Sequence, residues 1–225
     1  MRVRTLRQFF NFLVNEGYLT QNPITAVEKL KTDEVIITAL TNEQVKKILK
    51  SADRTTFTGL REYTMLLLML ETGIRLSEMS GLNTTDINFE EGSIKVFGKG
   101  ARERVVPFQR RCRKQLKHYI SYRCTDLDHD LLFVTIDNQP IKNRTIQERL
   151  EILTYKAGLT GVKTSPHIWR HTFARLYIMN GGDPFSLKKI LGHKSWEMVH
   201  RYVNLFGHQV AVQHQKASPV EHLDD

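Results

Sequence analysis

Cysteine is scarce in this chain of 225 residues, which contains only Cys112 and Cys124. Their spacing is not the C-x-x-C pattern of zinc and redox sites. A scaffold held by disulfides and a zinc site built from cysteines are therefore not expected. The scarcity of cysteine instead fits a protein of the reducing cytoplasm.

Long apolar runs are missing too. The most apolar stretch, MLLLML at 65–70, is far shorter than the roughly 20 residues that a helix needs to cross a bilayer. No signal-peptide pattern precedes the first helical segment. We therefore expect no membrane association.

Acidic residues are fewer than basic ones, which gives a net charge of +9. The excess is concentrated in residues 91–124, where ten Lys or Arg residues and two Glu residues leave a net charge of +8. A phosphate backbone would attract such a segment, which would release counterions on binding. A solvated basic helix face is the alternative. The candidate DNA contacts are Arg102, Arg104, Arg110, Arg111, Arg113 and Lys114.

Hydrophobic periodicity and turn residues predict a mainly α-helical chain with a small antiparallel β-sheet, an α+β class. Helices are expected at 4–16, 42–52, 59–72, 76–81, 108–122, 143–157, 166–180, 184–191 and 195–204. Strands are expected at 87–89, 93–97 and 102–106, with LLFV at 131–134 as a short strand or extended segment. The TNEQ box at 41–44 predicts a helix start, and Gly73 predicts a helix end.

The segment SPHIWRHTFA at 165–174 raises the question of a zinc site, because His167 and His171 are four residues apart. The helical zinc-protease motif requires Glu directly after the first His, and Ile168 stands there instead. No acidic third ligand lies nearby on the helix, so no metal is expected. His171 is interpreted as an inward-facing histidine that bonds to the backbone.

Other familiar reaction centres are missing from the sequence. It has no carboxylate pair for metal binding and no Ser–His–Asp arrangement, and GKGAR at 98–102 lacks the spacing of a Walker loop. What remains is a set of cationic and phenolic side chains: Arg75, Lys99, His167, Arg170, His193 and Tyr202. Arginines can hold the extra charge of a phosphoryl transition state, and a tyrosine can act as nucleophile. Alternatively, Arg75 forms only a salt bridge with Glu78, and Lys99 is an ordinary exposed hairpin lysine.

Four segments carry this set in order: TGIRLSEMSGL, GKGARERVVP, SPHIWRHTFA and LGHKSWEMVHRYV. They resemble the catalytic boxes of the tyrosine recombinases, or phage-type integrases, across about residues 38–206. The resemblance implies the catalytic-domain fold of that family at 34–206. It also implies the end of a helical core-binding domain plus a linker at 1–33, and a C-terminal tail at 207–225.

The resemblance further implies roles for individual residues. Arg75 and Arg170 would contact the scissile phosphate, with Glu78 and His171 as supporting residues. Tyr202 would attack the phosphorus, giving a 3′-phosphotyrosyl link and a free 5′-hydroxyl.

Proton transfers would fall to the remaining members of the set. Lys99 would protonate the leaving 5′ oxygen, His167 would accept the tyrosine proton, and His193 would hydrogen-bond a phosphate oxygen. Because the covalent link keeps the bond energy, rejoining would need no metal, ATP or other cofactor. Two departures from the family pattern, Val199 and Asn204, lie outside this set.

The function implied is site-specific recombination of double-stranded DNA, as in mobile elements, by a homo-tetramer assembled on the DNA. No small-molecule substrate is implied. A non-catalytic DNA-binding fragment and a type IB topoisomerase are the alternatives. The segment 205–216 has some amphipathic character and would pass to a neighbouring subunit in such an assembly.

Overall fold

A computed structural model describes residues 2–25, 27, 39–98, 102–123, 127–192 and 196–206. The chain divides into two units, Met1–Ile37 and Thr38–Asp225. The division falls four residues after the boundary expected between 33 and 34. The linker expected at 29–36 and the tail at 207–225 lie outside the described residues.

The described elements are mainly helical. The helices are α1 (Arg2–Asn15), α2 (Asn42–Ser51), α3 (Phe57–Thr72), α4 (Leu76–Ser80), α5 (Arg110–Tyr122), α6 (Asn143–Lys156), α7 (Pro166–Met179), α8 (Pro184–Leu191) and α9 (Glu197–Phe206). A short 3-10 helix, Thr84–Asp86, precedes the strands β1 (Ile87–Asn88), β2 (Ser93–Gly98) and β3 (Arg102–Pro107). The predicted fold class is confirmed.

The first unit contains α1 and the turns that follow it. Gly17 adopts a φ of 77°, a left-handed conformation that glycine tolerates, and the chain reverses there. The Tyr18 N–H donates to the carbonyl of Leu13, and Asn22 donates to the side chain of Asn11. The helix that the sequence predicts at 4–16 is therefore present.

Helix α3 lies at the centre of the second unit and is buried along most of its length. It packs against α5 and α7. Its two buried charged side chains, Arg61 and Glu62, both form hydrogen bonds, because buried charges without partners would be costly. Glu62 accepts from Arg149 of α6, and Arg61 donates to the carbonyl of Val134 at 2.6 Å.

The sheet is antiparallel in the order β1-β2-β3. Residues Ile94, Val96 and Val106 are buried on one face, whereas Lys95 and Val105 are exposed on the other. Side chains alternate along a strand, so this pattern places Arg104, two residues before Val106, on the inward face. The cross-strand partner of Arg104 is Val96.

The observed helix ends differ from the predicted ones by at most two residues. The basic helix begins at Arg110 rather than at 108, because Phe108 is buried in the core and Gln109 is the N-cap residue. Of the two alternatives for LLFV at 131–134, the structure shows the extended segment, whose end residues Leu131 and Val134 make isolated bridges to Asn83 and Pro140. The capping box of Thr41 and Gln44 is confirmed by both of its hydrogen bonds.

None of the helices within the described ranges is both long and apolar enough to cross a membrane.

Candidate functional site

The turn between α3 and α4 positions Arg75. Gly73 ends α3 with a φ of 57°, and its N–H donates to the carbonyl of Met69. Arg75 then precedes α4, and its backbone N–H and Nη1 donate to the two carboxylate oxygens of Glu78 at 2.9 and 2.7 Å. The salt bridge considered from the sequence is therefore present. The Arg75 side chain is still 39% exposed, so its other donors face solvent.

Glu78 is also held by Arg104 from β3. Nη1 and Nη2 of Arg104 each donate to a different oxygen of Glu78 at 2.8 Å, which is the bidentate geometry that guanidinium groups favour. The Glu78 side chain is only 2% exposed. Burial alone would raise its pKa, but the hydrogen bonds from Arg104 and from the Arg75 N–H lower the pKa to about 2. Glu78 is therefore a carboxylate at neutral pH.

Arg104, named from the sequence as a candidate DNA contact, has hydrogen-bond partners within the protein. Its Nε donates to the carbonyl of Ile190 at 2.7 Å, and its side chain is 13% exposed. The guanidinium of Arg104 therefore bonds to Glu78 of α4 and to the C-terminal end of α8, and it links strand β3 to these two helices.

Arg170 lies one turn into α7 and is buried. Its Nη1 donates to the carbonyl of Gly73 at 2.6 Å, and its Nη2 donates to the carbonyl of Leu191. Arg104 and Arg170 together satisfy two carbonyls at the C-terminus of α8, where the helix dipole is negative. Burial, with Arg75 and Arg104 adding to the effect, lowers the pKa of Arg170 to about 9, so the group stays cationic at neutral pH.

Tyr202 extends from α9 to the same region. Its side chain is buried, and burial raises its pKa to about 12 against the opposing charge of Arg170. The phenol oxygen lies 2.5 Å from Nδ1 of His171. The interpretation of His171 as a histidine bonded to the backbone is therefore wrong, because its partner is the candidate nucleophile.

His167, the other histidine considered for a zinc site, faces outward. His167 is exposed in the first turn of α7 and forms no hydrogen bond or ion pair with another described residue. No group of three His, Cys, Asp or Glu side chains suited to a metal ion occurs among the residues whose positions are described. Lys99 and His193 lie outside the described residues.

Comparison with known proteins places this arrangement in a family. The model of the phage integrase family matches residues 38–208.

The chain belongs to the phage integrase family.

Relatives and solved structures of the family resemble the chain over most of its length. Tyrosine recombinase XerC of Thermodesulfovibrio yellowstonii is 32% identical over 231 residues, covering 100% of this chain and 76% of the relative. Tyrosine recombinase XerC of Mannheimia succiniciproducens is 33% identical, covering 97% and 74%. The crystal structure of XerA recombinase matches with a TM-score of 0.69 at 26% identity, covering 96% of this chain and 74% of that chain. XerH site-specific recombinase, in a post-cleavage complex with its difH substrate, matches with a TM-score of 0.67 at 25% identity, covering 83% and 54%.

In this phage integrase family member, the fold brings together five of the residues named from the sequence: Arg75, Glu78, Arg170, His171 and Tyr202. They come from three separate parts of the chain. Their individual roles remain predictions, as do those of Lys99, His167 and His193.

The basic residues expected to bind DNA occupy different environments. Arg110 and Lys114 are exposed on α5. Arg111 is also exposed, and its Nη2 donates to the hydroxyl of Tyr63 at 3.2 Å. Arg113 is half-buried with its guanidinium over the ring of Phe108. The side chain of Arg102 lies outside the description.

Two features of this site were missed from the sequence. Alternation in β3 would have placed Arg104 inward, since Val106 two residues later is apolar, so a signal was available. The bond between His171 and Tyr202 had no local signal, because the two residues are 31 positions apart.

Proposed function

We propose that this phage integrase family member is a site-specific DNA recombinase that cuts and rejoins DNA through a 3′-phosphotyrosyl intermediate. The observation that supports this most directly is the approach of Tyr202 to Arg170 and His171 of α7. A tyrosine hydroxyl beside a buried arginine suits nucleophilic attack on a phosphodiester. The catalytic domain on this proposal comprises residues 34–206.

The two arginines would act on the phosphate in different ways. Arg75 has exposed donors that can reach a non-bridging oxygen, while its Nη1 is fixed by Glu78. Arg170 is fixed at both ends of its guanidinium by carbonyls, so its positive charge stays in place while charge develops on the phosphorane. Such preorganised charge lowers the barrier because the site does not have to reorganise during the reaction.

Tyr202 needs a rearrangement before it can react. The side chain is 1% exposed, so a DNA phosphate can meet the phenol oxygen only after local movement uncovers it. After attack, the 5′ oxygen leaves with a proton, for which Lys99 is the proposed donor. We further propose that His167 and His193 contact the phosphate region and that four copies assemble on the DNA.

The proposal is tested by trapping the covalent link. The 225-residue chain is incubated with sheared chromosomal DNA of its source cell in EDTA, denatured, and the attached DNA ends are sequenced. A nicked suicide duplex is then built on the recovered site, so that the cleaved end diffuses away. We expect a denaturation-resistant adduct that Tyr202→Phe abolishes. An absence of wild-type adduct would sink the proposal and favour a non-catalytic DNA-binding module.

Type IB topoisomerase activity is separated by a second substrate. A supercoiled plasmid without the recovered site should remain supercoiled with the wild-type chain. Relaxation of that plasmid at the rate of a site-bearing plasmid would favour the topoisomerase alternative.

A further inference from the structure

A cavity of about 750 Å³ opens on the second unit beside the N-terminal half of α3. Its wall is formed by the C-terminal half of α2, the turn at 52–55 and one side of α5. This volume lies within the range of about 300–1,000 Å³ that ligand pockets occupy. The five candidate site residues that the fold brings together do not line it. The cavity is therefore a separate place for a ligand.

The charged side chains around the cavity are mostly cationic. Lys46 and Lys50 come from α2, Arg54 from the turn that follows it, and Arg111 from α5. Among the described residues of the lining, Asp53 carries the one carboxylate. Four cations and one anion leave a net charge of +3 around the cavity. All four cations are exposed, so a ligand in the cavity can reach them.

The nearby carboxylates leave most of this charge unpaired. Asp53 accepts from the N–H and the hydroxyl of Thr55 at 3.1 and 2.6 Å, and these bonds lower its pKa. Lys46 pairs with Glu43 at 3.0 Å, but the two side chains are 66% and 74% exposed. Solvent weakens such a pair. Three lining cations form no ion pair within the described part of the chain: Lys50, Arg54 and Arg111.

The side chain of Tyr63 positions two of these cations. Its ring is buried in α3, and the guanidinium of Arg54 lies over it at 4.8 Å from the centroid. Nη2 of Arg111 donates to the hydroxyl of Tyr63 at 3.2 Å. Both guanidinium groups are thus held at the cavity before a ligand arrives, which reduces the entropic cost of binding.

We propose that this cavity is a second phosphate-binding site, which holds the di- or triphosphate group of a small ligand. Guanidinium groups bind phosphate oxygens through paired hydrogen bonds, and lysine adds a point charge. A single phosphate group carries only about 1.5 to 2 negative charges. The net charge of +3, contributed from separate elements of the chain, matches a row of phosphates better. Leu49, Ala52 and Leu60 add an apolar side that suits the ring of a nucleotide.

The first measurement is isothermal titration calorimetry of the 225-residue chain with sodium tripolyphosphate in EDTA, followed by the same titration with ATP. We expect each to bind at one site per chain. Tighter binding of ATP would assign the apolar side of the cavity to the base, whereas equal affinity would leave the phosphates as the recognised group. Failure of both ligands to saturate the chain would overturn the proposal.

Two variants locate the ligand. Lys50→Gln and Arg54→Gln should each weaken tripolyphosphate binding by about tenfold, as expected for loss of a hydrogen bond to a charged group. Lys47→Gln is the matched control, because Lys47 is an exposed lysine of α2 that does not line the cavity. Equal weakening in all three variants would show that the anion responds only to the overall charge of a basic chain, and would refute the site.

A third variant changes no charge. Tyr63→Phe removes the hydroxyl to which Arg111 donates, and binding of tripolyphosphate should weaken by about fivefold, the loss expected for one hydrogen bond. Urea denaturation checks that the variant is folded. Wild-type affinity in folded Tyr63→Phe would contradict the positioning of Arg111 on which the proposal depends.

The candidate active site also attracts phosphate, and Arg75→Gln separates the two places. Tripolyphosphate should bind this variant as tightly as wild type. Loss of binding in Arg75→Gln would place the anion in the active site and overturn the proposal. A short DNA duplex that bound through Lys50 and Arg54 while tripolyphosphate did not bind would overturn the small-ligand assignment. None of these titrations requires DNA cleavage, so their failure is distinguishable from failure of the proposed function.

Discussion

Arg104 binds Glu78 through two hydrogen bonds of 2.8 Å, although the residues lie 26 positions apart and belong to a strand and a helix. The same carboxylate accepts from Arg75, and the same guanidinium donates to the carbonyl of Ile190. One buried carboxylate therefore connects the exposed arginine of the candidate site to the sheet and, through Arg104, to the end of α8.

Glu78→Gln should destabilise the second unit substantially. The change leaves two guanidinium groups facing a neutral amide, and breaking a buried pair costs about 3 kcal/mol or more in the free energy of unfolding. Urea denaturation measures the loss. Adduct formation should fall as well, because Arg75 loses the group that orients it.

Glu103→Gln is the matched control for Glu78→Gln. Glu103 pairs with Lys95 across the same sheet, but the two side chains are 58% and 48% exposed. The free energy of unfolding should change by less than about 1 kcal/mol, as for other solvent-screened pairs. Equal losses of unfolding free energy in Glu78→Gln and Glu103→Gln would show that the buried pair stabilises the fold no more than the exposed pair does.

The Glu78 cluster also predicts a pH dependence of stability. The folded-state pKa of about 2 lies below the ordinary value of 4.5, so the folded state favours the carboxylate. Its contribution, about 3 kcal/mol by linkage, is complete above pH 4.5 and is lost as the pH falls towards 2. The stability difference between wild type and Glu78→Gln should therefore shrink across that window in acid-titrated urea denaturation. A difference that stays constant would contradict the pairing.

Gly73→Ala should damage both stability and the site. Its φ of 57° is left-handed, and an added Cβ would lie 2.4 Å from Cδ1 of Phe173. Gly158, after α6, has a φ of 70° but no heavy atom within 4 Å of such a Cβ. Thermal or urea unfolding should show a cost of about 1 kcal/mol for Gly158→Ala, from backbone strain alone, and of about 2–4 kcal/mol for Gly73→Ala. Equal losses of unfolding free energy in the two variants would mean that Phe173 and Leu191, which lie next to Gly73, can move aside at little cost.

DNA affinity should depend on the exposed end of the basic segment. Arg110→Ala and Lys114→Ala should each weaken binding of the mapped duplex and flatten the dependence of log affinity on log salt by roughly one unit per lost phosphate contact. Filter binding or fluorescence anisotropy at several salt concentrations measures the slope. Arg144→Ala, which removes an exposed arginine of α6, should leave the slope unchanged; an equal effect there would indicate only a general charge requirement.

The sequence alone predicted the helices and strands to within about two residues and named the candidate site residues. Hydrophobic periodicity and the turn residues predicted the three strands, because local periodicity reflects which face is buried. The helices from α2 to α8 follow equally local start and stop signals, such as the capping box at Thr41. The four catalytic boxes carried the family resemblance without any knowledge of contacts.

Only the tertiary structure decided which side chains face one another. The packing of the sheet on α4 and α8 decides whether a basic side chain of the sheet faces solvent or a buried carboxylate. In this packing Arg104 bonds to Glu78. Likewise, α9 packs on α7 and brings Tyr202 to His171. Such pairs join residues far apart in the chain, and their hydrogen-bond geometry follows from helix packing and not from spacing along the sequence.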